Sequence, residues 1–427
     1  MTVYDRWHKS RPEPGASKCS CRPAKVPSAD HGKGERWQVR YRDDAGVQRK
    51  RNFERLPAAQ SFDAQTKASL DRGDYLDPKA GQVTLATYAR QWRNGLTSDP
   101  GTLAQIDSRL SKWVFGRSVS AHPMGLLAKR PSIVQAWVKE MEADGLKPSS
   151  IKLVVGTVSA IFNAAIDDQV IGRNPCATKS VRPPARTEKK VIPWTLDQVN
   201  AMAAALPSPY AAMAYLGAGC AHRQGELFGV AVDDVDFLGR AVRVVRQVRI
   251  IGNQLVFSPP KRGKTRSVPL PESVALRLSA HIRQHPPAEV TLPWRTPDGE
   301  PRTAALLFTG PRGGALHRNT FNHTWRLALE GAGIVPASTA GERRKPYPEH
   351  GCHVLRHTAA SAWLGAGVDI RTVAEYLGHS DPGFTLRTYT HLMPNAADRA
   401  RRAMDAFFAE GTSDVPCALD VPSEGTK

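Results

Sequence analysis

Acidic residues are in short supply: 40 Asp and Glu stand against 59 Lys and Arg, which leaves a formal net charge of +19. That balance argues against a basic partner and makes a polyanion the simplest one. Cysteine is also scarce. Cys19, Cys21, Cys176, Cys220, Cys352 and Cys417 are spread over 427 residues, which excludes a disulfide framework. Cys19 and Cys21 alone lie close together, and with His8 and His31 nearby they could ligate a metal. Cys-x-Cys lacks zinc-finger spacing, however, so no metal site is expected. No stretch reaches the roughly 18 uninterrupted apolar residues of a membrane span, and "MTVYDRWHKSRPEPG" has no apolar signal-peptide core. A cytoplasmic protein with no membrane partner is the expectation. No internal repeat is present.

What is present falls into blocks. "RWQVRYRDDAGVQRKRNFE" alternates Trp37, Val39 and Tyr41 with Arg40 and Arg42, turns at "DDAG" and resumes toward Phe53, which predicts a hairpin. Arg40, Arg42, Arg49, Lys50 and Arg51 give it a basic face suited to a DNA groove. Residues 1–80 are read as a small basic sheet domain with a loose start and a helix over "AAQSFDAQTKASLDRG". Residues 84–176 turn helical: Leu85, Tyr88, Ala89 and Trp92 share one face, Pro131 opens a helix, and Ile151, Val154, Val155, Val158, Ile161, Phe162 and Ala165 make a core stripe ending before Gly172. Residues 177–190 carry five cations, one anion and Pro183-Pro184, the composition of an extended basic linker. Residues 191–410 mix periods. "AYLGAGCAHRQGELFGVAVDDVDF" reads as a helix, followed by strands with turns at Gly252-Asn253 and Arg262-Gly263. A later helix has Asp369 as N-cap and Gly378 as stop. Residues 411–427 read as a loose tail. The fold expected is a multidomain α+β chain: a small basic three-stranded sheet domain, an all-helical domain, and a mainly helical domain with a small antiparallel sheet.

The third block holds the residues able to do chemistry. His353, Arg356 and His357 in "HVLRH" lie three and four apart on a helix, which suits a metal site, a phosphate clamp or a solvated face. Arg223 and Glu226 are three apart, Lys261 stands beside the turn "KRGK", His379 follows a helix at "LGHSD", and Tyr389 lies on a short helix begun near Pro382. Each alone is an ordinary surface or packing residue. Two arginines, a lysine, two histidines and a late tyrosine without an acidic metal cage together suit phosphoryl transfer. Guanidinium groups bond non-bridging oxygens in pairs, a phenolate can attack phosphorus, and an ammonium or imidazolium can protonate the leaving oxygen.

The ordered motifs "AHRQGE", "PPKRGKTRSVPL", "HVLRH", "LGHS" and "TYTHL" resemble the tyrosine recombinases of the phage integrase family, in particular those of actinobacterial phages or integrative elements. The resemblance is strong over the third block. It is weaker over the helical block, which resembles a core-site-binding domain, and over the basic sheet, which resembles an arm-binding domain. It implies that Tyr389 is the nucleophile, forming a 3′-phosphotyrosyl link and releasing a 5′-hydroxyl. Arg223 and Arg356 would grip the phosphate, Lys261 would protonate the leaving 5′-oxygen, His353 and His379 would bond the phosphate or move protons, and Glu226 would orient Arg223. His357 is left as a packing residue or one that supports the site from behind. One departure stands out: the position two before the first arginine, usually glycine in the family, is Ala221.

The resemblance further implies no nucleotide cofactor and no divalent metal. It implies a homotetramer on double-stranded DNA attachment sites, a Holliday junction intermediate, docking of the segment after about Met404 on a neighbour, and accessory DNA-bending or excision-directing proteins. The setting would be the bacterial cytoplasm, at the nucleoid. Three other readings use the same motifs: a chromosome-dimer-resolving recombinase, which usually lacks the basic extension; a non-cleaving DNA-binding regulator, which has no need of all six residues; and a type IB topoisomerase-like enzyme acting as a monomer.

Overall fold

The computed structural model describes residues 2–22, 25–43, 46–73, 75–77, 79–185, 191–339, 347–389 and 396–410. It divides into two compact units, 1–187 and 188–427.

The first unit opens with a three-stranded antiparallel sheet, β1 (Thr2–Asp5), β2 (Trp37–Arg42) and β3 (Gln48–Phe53), in the order β1-β2-β3. The opening residues are therefore not loose: Thr2 to Asp5 pair with Arg40 to Trp37. Helix α1 (Leu56–Arg72) follows and ends at Gly73, whose left-handed φ of 71° lets its N–H close back on the last turn. Side chains alternate across the sheet and opposite residues share a face. Trp37 with Phe53, Val39 with Arg51 and Tyr41 with Arg49 therefore occupy one face, and Gln38 with Asn52, Arg40 with Lys50 and Arg42 with Gln48 the other. The first face packs with α1, where Val39, Tyr41, Ala59 and Tyr75 are buried. The "DDAG" turn lies partly outside the described residues.

The helical part comprises α2 (Leu85–Asn94), α3 (Pro100–Trp113), α4 (Ser118–Ala121), α5 (Met124–Lys129), α6 (Pro131–Ala143) and α7 (Pro148–Asp167). Thr84 and Asp99 cap α2 and α3 by accepting from the N–H groups of Thr87 and Gly101, and proline stands in the first turn of α3, α6 and α7, where its missing N–H costs nothing. The α7 stripe, Ile151, Val154, Val155, Val158, Ile161, Phe162 and Ala165, is buried throughout. By length and apolarity α7 could cross a membrane; those seven side chains instead share one core with Leu110, Trp137 and Met141. The start of the supposed linker belongs to this core too: Val181 is buried, and the Arg182 N–H donates to Gln135 Oε1 at 2.7 Å. Its end, 186–190, lies outside the described residues.

The second unit begins with α8 (Leu196–Ala205), which Thr195 and Gln198 cap reciprocally, and α9 (Ser208–Cys220). The sequence reads as one helix from Ala214 to the acidic turn at Asp233-Asp234. Instead α9 stops at Ala221, whose φ of 54° and ψ of 32° are left-handed, and α10 (Gln224–Gly229) starts afresh. Strands β4 (Val235–Asp236), β5 (Ala241–Val244), β6 (Gln247–Ile251), β7 (Gln254–Ser258) and β8 (Arg266–Pro269) follow, paired as β4-β5-β8 and β6-β7. Gly252 and Asn253 turn the β6-β7 hairpin with φ of 53° and 69°, as a two-residue turn between twisted strands requires. After α11 (Glu272–Gln284), the hairpin of β9 (Ala288–Pro293) and β10 (Pro301–Leu306) adds a third small sheet. Helices α12 (Arg318–Gly331), α13 (His353–Gly365), α14 (Ile370–Leu377), α15 (Pro382–Tyr389) and α16 (Ala396–Glu410) complete the unit. Asp369 caps α14 through the N–H groups of Arg371 and Thr372, and Gly378 ends it at φ 60°.

Candidate active site

Two helix ends build the centre of the site. The left-handed turn at Ala221 frees the Ala221 carbonyl, which accepts from Arg356 Nη1 at 2.8 Å. The stop at Gly378 leaves the Leu377 carbonyl without a helical partner, and it accepts from Nη2 of Arg356 and, at 3.1 Å, from Nη2 of Arg223. A cation at a helix C-terminus is favoured by the partial negative charge there. Here two guanidiniums share one carbonyl, so they lie side by side. Glycine takes the conformation of residue 221 without cost. Alanine there carries a penalty of about 1–2 kcal/mol, which the surrounding structure sustains.

Arg223 is the N-cap of α10, not a residue inside a longer helix. Its own N–H donates to Glu226 Oε2 and its Nη1 to Oε1, both at 2.8 Å. Glu226 also receives Arg266 of β8 end-on, Nη1 to Oε1 at 3.0 Å and Nη2 to Oε2 at 2.7 Å. Burial raises the carboxyl, but Arg266 and then Arg223 outweigh it and hold Glu226 well below the usual carboxylate range. Arg266 thus holds the residue that orients Arg223, and it also donates to the Tyr376 carbonyl at 2.7 Å. Its place in "KTRSVPL" gives no local hint of this, because the pairing bridges three separate elements.

The histidines and the tyrosine gather beside the arginines. His353 starts α13 and reaches solvent, and His357 stands one turn on with its ring edge-on at 4.7 Å between centroids. His357 Nδ1 lies 2.7 Å from the hydroxyl of Tyr389 at the end of α15. His379 bonds Thr385 of α15 through Nδ1 at 2.7 Å and meets the Phe384 ring edge-on. Tyr389 and Arg356 are each 1% exposed. Desolvation, and after it the neighbouring cations, lower His353 to about 3, His357 to about 4 and His379 to about 3. Burial lifts Tyr389 to about 12, against the opposite pull of Arg356 and Arg223. All three imidazoles are therefore neutral at neutral pH. With its proton on Nε2, His357 can accept the phenol proton through Nδ1. A phosphodiester set among these groups would favour the charged forms of the three imidazoles.

Lys261 is exposed at the β7-β8 tip, and among the described residues no hydrogen bond joins it to the cluster. Its neighbour Arg262, at φ 65°, donates to Ser380, next to His379, so the tip leans on the α14-α15 corner. Of the six sequence-predicted residues, five are brought together and Lys261 stands at the rim. His357, read from sequence as a packing residue or one supporting the site from behind, touches Tyr389.

The five basic residues of the N-terminal hairpin do not form one face. Arg40, Arg42 and Lys50 line the open side, where Arg40 lies over the Tyr4 ring at 5.0 Å. Arg49 is engaged by Asp43 at 2.8 Å and Asp77 at 2.7 Å, and Arg51 lies over Phe53 and Phe62 on the α1 side.

Residues 192–396 match the model of the phage integrase family. Among curated proteins, the chain is 27% identical over 344 residues to a XerC-like tyrosine recombinase of Caldanaerobacter subterraneus subsp. tengcongensis, covering 76% of this chain and 84% of the relative. It is 28% identical over 383 residues to a putative prophage phiRv2 integrase of Mycobacterium tuberculosis, covering 88% and 93%. In fold it matches the Tn1549 transposon integrase solved with transposon right end DNA, with a TM-score of 0.61 at 21% identity over 76% of this chain and 100% of that one. The family match spans the stretch in which Arg223, Glu226, Arg356, His379 and Tyr389 converge, so residues 192–396 form a phage integrase family domain.

Proposed function

We propose that the chain is a site-specific DNA recombinase that integrates or excises a phage or mobile element. The observation that carries this is the pairing of Arg223 and Arg356 on the Leu377 carbonyl, with both charges acting on Tyr389, whose hydroxyl already has an acceptor in His357. Tyr389 Oη attacks the scissile phosphorus, the bond from phosphorus to the 5′-oxygen breaks, and a 3′-phosphotyrosyl ester forms. The phenol proton passes to His357, and the leaving 5′-oxygen takes its proton from Lys261, a contribution typically worth about a hundred- to ten-thousand-fold. Arg223 and Arg356 hold the non-bridging oxygens as charge builds, with His353 and His379 bonding beside them. One ester replaces another, so a 5′-hydroxyl from a second strand reverses the step without a nucleotide cofactor.

The same reading assigns the open face of the basic sheet, with Arg40, Arg42 and Lys50, to arm-type DNA, and the helices of 84–176 to core sites. Four protomers act on paired sites. In support, α16 presents Met404, Phe407 and Phe408 at 50, 67 and 65% exposure, an apolar strip suited to a neighbouring copy. Accessory bending or excision-directing proteins would set direction in the bacterial cytoplasm. The likeness to a XerC-like recombinase favours a second reading, the resolution of chromosome dimers. Footprinting separates them: two classes of protected site, core and arm, are expected of an integrase, and a core class alone would overturn that assignment.

A further inference from the structure

Among its described residues, the connection from β1 to β2 (6–36) forms no helix and only isolated bridges, such as His8 with Pro27 and Cys19 with Arg22. The apolar core beside it is small, with Val39, Tyr41, Ala59 and Tyr75 as its buried members. Cores of that size rarely hold a long loop by burial alone, and small folds commonly add a disulfide or a metal.

The loop is nevertheless gathered at one point. The ligand atoms of His8, Cys19, Cys21 and His31 all lie within 4.8 Å of one another. Cys19 Sγ is 2.9 Å from Cys21 Sγ and 3.0 Å from His31 Nε2, and Cys21 Sγ is 3.3 Å from His8 Nε2 and from His31 Nε2. Tetrahedral zinc, with bonds of about 2.3 Å to sulfur and about 2.0–2.1 Å to nitrogen, sets its ligand atoms about 3.3–3.8 Å apart; the four distances here lie at or just below that range, so a small outward shift seats the ion.

A second observation points the same way. The far nitrogen of His8, Nδ1, lies 2.9 Å from Asp5 Oδ2 on β1, and Asp5 is gripped by Arg36 through Nε at 3.1 Å and Nη2 at 2.8 Å. A carboxylate on the distal nitrogen is the usual way a metal-bound histidine is oriented. Two thiolates and two imidazoles suit zinc over harder ions, and four protein ligands leave no open position for catalysis. The spacing hides the set in the sequence: His8 stands 13 residues before Cys21 and His31 10 after it.

We propose that His8, Cys19, Cys21 and His31 bind one structural zinc ion, which ties the 6–36 loop to β1 and fixes the edge of the basic sheet. Binding replaces the two thiol protons, which are released to solvent, so affinity falls as pH is lowered.

The test uses the full chain, purified with reductant and without chelator. Inductively coupled plasma mass spectrometry should find about one zinc per chain, and cobalt exchange should give the visible bands of a tetrahedral site with thiolate charge transfer. Cys21→Ser and His31→Ala should lose the ion, while Cys176→Ser keeps it. Should the losing variants also misfold, His31→Cys decides: it should retain the ion and gain thiolate charge-transfer intensity. Absence of both zinc and a tetrahedral cobalt spectrum in the reduced wild-type chain would overturn the site. So would full zinc retention by Cys21→Ser, or a Cys19–Cys21 disulfide in chain prepared without oxygen.

Discussion

His357 Nδ1 and the Tyr389 hydroxyl lie 2.7 Å apart, which gives the buried phenol one imidazole to which it can pass its proton. With Tyr389 near 12 and His357 near 4, the transfer is uphill until the two arginines stabilise the phenolate and a phosphate anion the imidazolium. His357→Ala should therefore slow covalent capture of a nicked half-site by about a hundred- to ten-thousand-fold with little change in DNA affinity. An unchanged rate in single-turnover quench-flow assays would return His357 to a packing role.

Tyr389→Phe should abolish the protein–DNA adduct on denaturing gels while gel-shift affinity stays nearly constant. An adduct that persists would remove Tyr389 as the nucleophile.

Lys261, at the rim, is tested through the leaving group. A substrate with sulfur in place of the bridging 5′-oxygen departs without a proton, so it should rescue Lys261→Ala but not Arg223→Ala. Equal rescue of both would count against Lys261 as the acid. On the ordinary substrate, capture should survive a chelator, because no step of the transfer uses a divalent ion. Restoration of activity by magnesium alone would sink that scheme.

Arg266 and Glu226 are almost fully buried as a pair. Removing one partner of such a pair typically costs about 3–5 kcal/mol, whereas replacing both with apolar side chains is often neutral. Urea denaturation should show Arg266→Ala strongly destabilised and Arg266→Met with Glu226→Met largely recovered. The double variant should still cleave poorly, since Arg223 loses its carboxylate. A double variant as unstable as the single would refute the account.

Stability should also depend on pH. His222, His353, His357 and His379 all sit well below the ordinary histidine value. The unfolded chain then binds more protons than the native one between about pH 6.5 and pH 4, so native stability is complete above about 6.5 and declines as pH falls. Between pH 6.5 and 5 most carboxylates stay ionised, and the histidines dominate the slope. Calorimetry should show Tm falling across that window, and His357→Asn with His379→Asn should flatten the fall. An unaltered slope would contradict it.

Much of this was legible locally. The α7 stripe, the Asp369 cap, the Gly378 stop and the Gly252-Asn253 turn each follow from a few adjacent residues obeying a period or a backbone preference. What stayed hidden is set by tertiary pairing. The break at Ala221 sits in a continuous helical pattern and is fixed by Arg356 taking the freed carbonyl. The division of Arg40 and Lys50 from Arg49 and Arg51 depends on strand register, since neighbours along a strand point to opposite faces. Arg266, His357 and the Cys/His cluster have their roles only once distant segments meet.

The Leu377 carbonyl, shared by both arginines, has a mechanical consequence. It ends α14, and the corner that follows carries His379 and leads directly into the helix of Tyr389. Grip and attacking oxygen are thereby gauged from a single point of the backbone. Any displacement of that corner moves the clamp and the nucleophile together, so the site aligns or disengages as a whole.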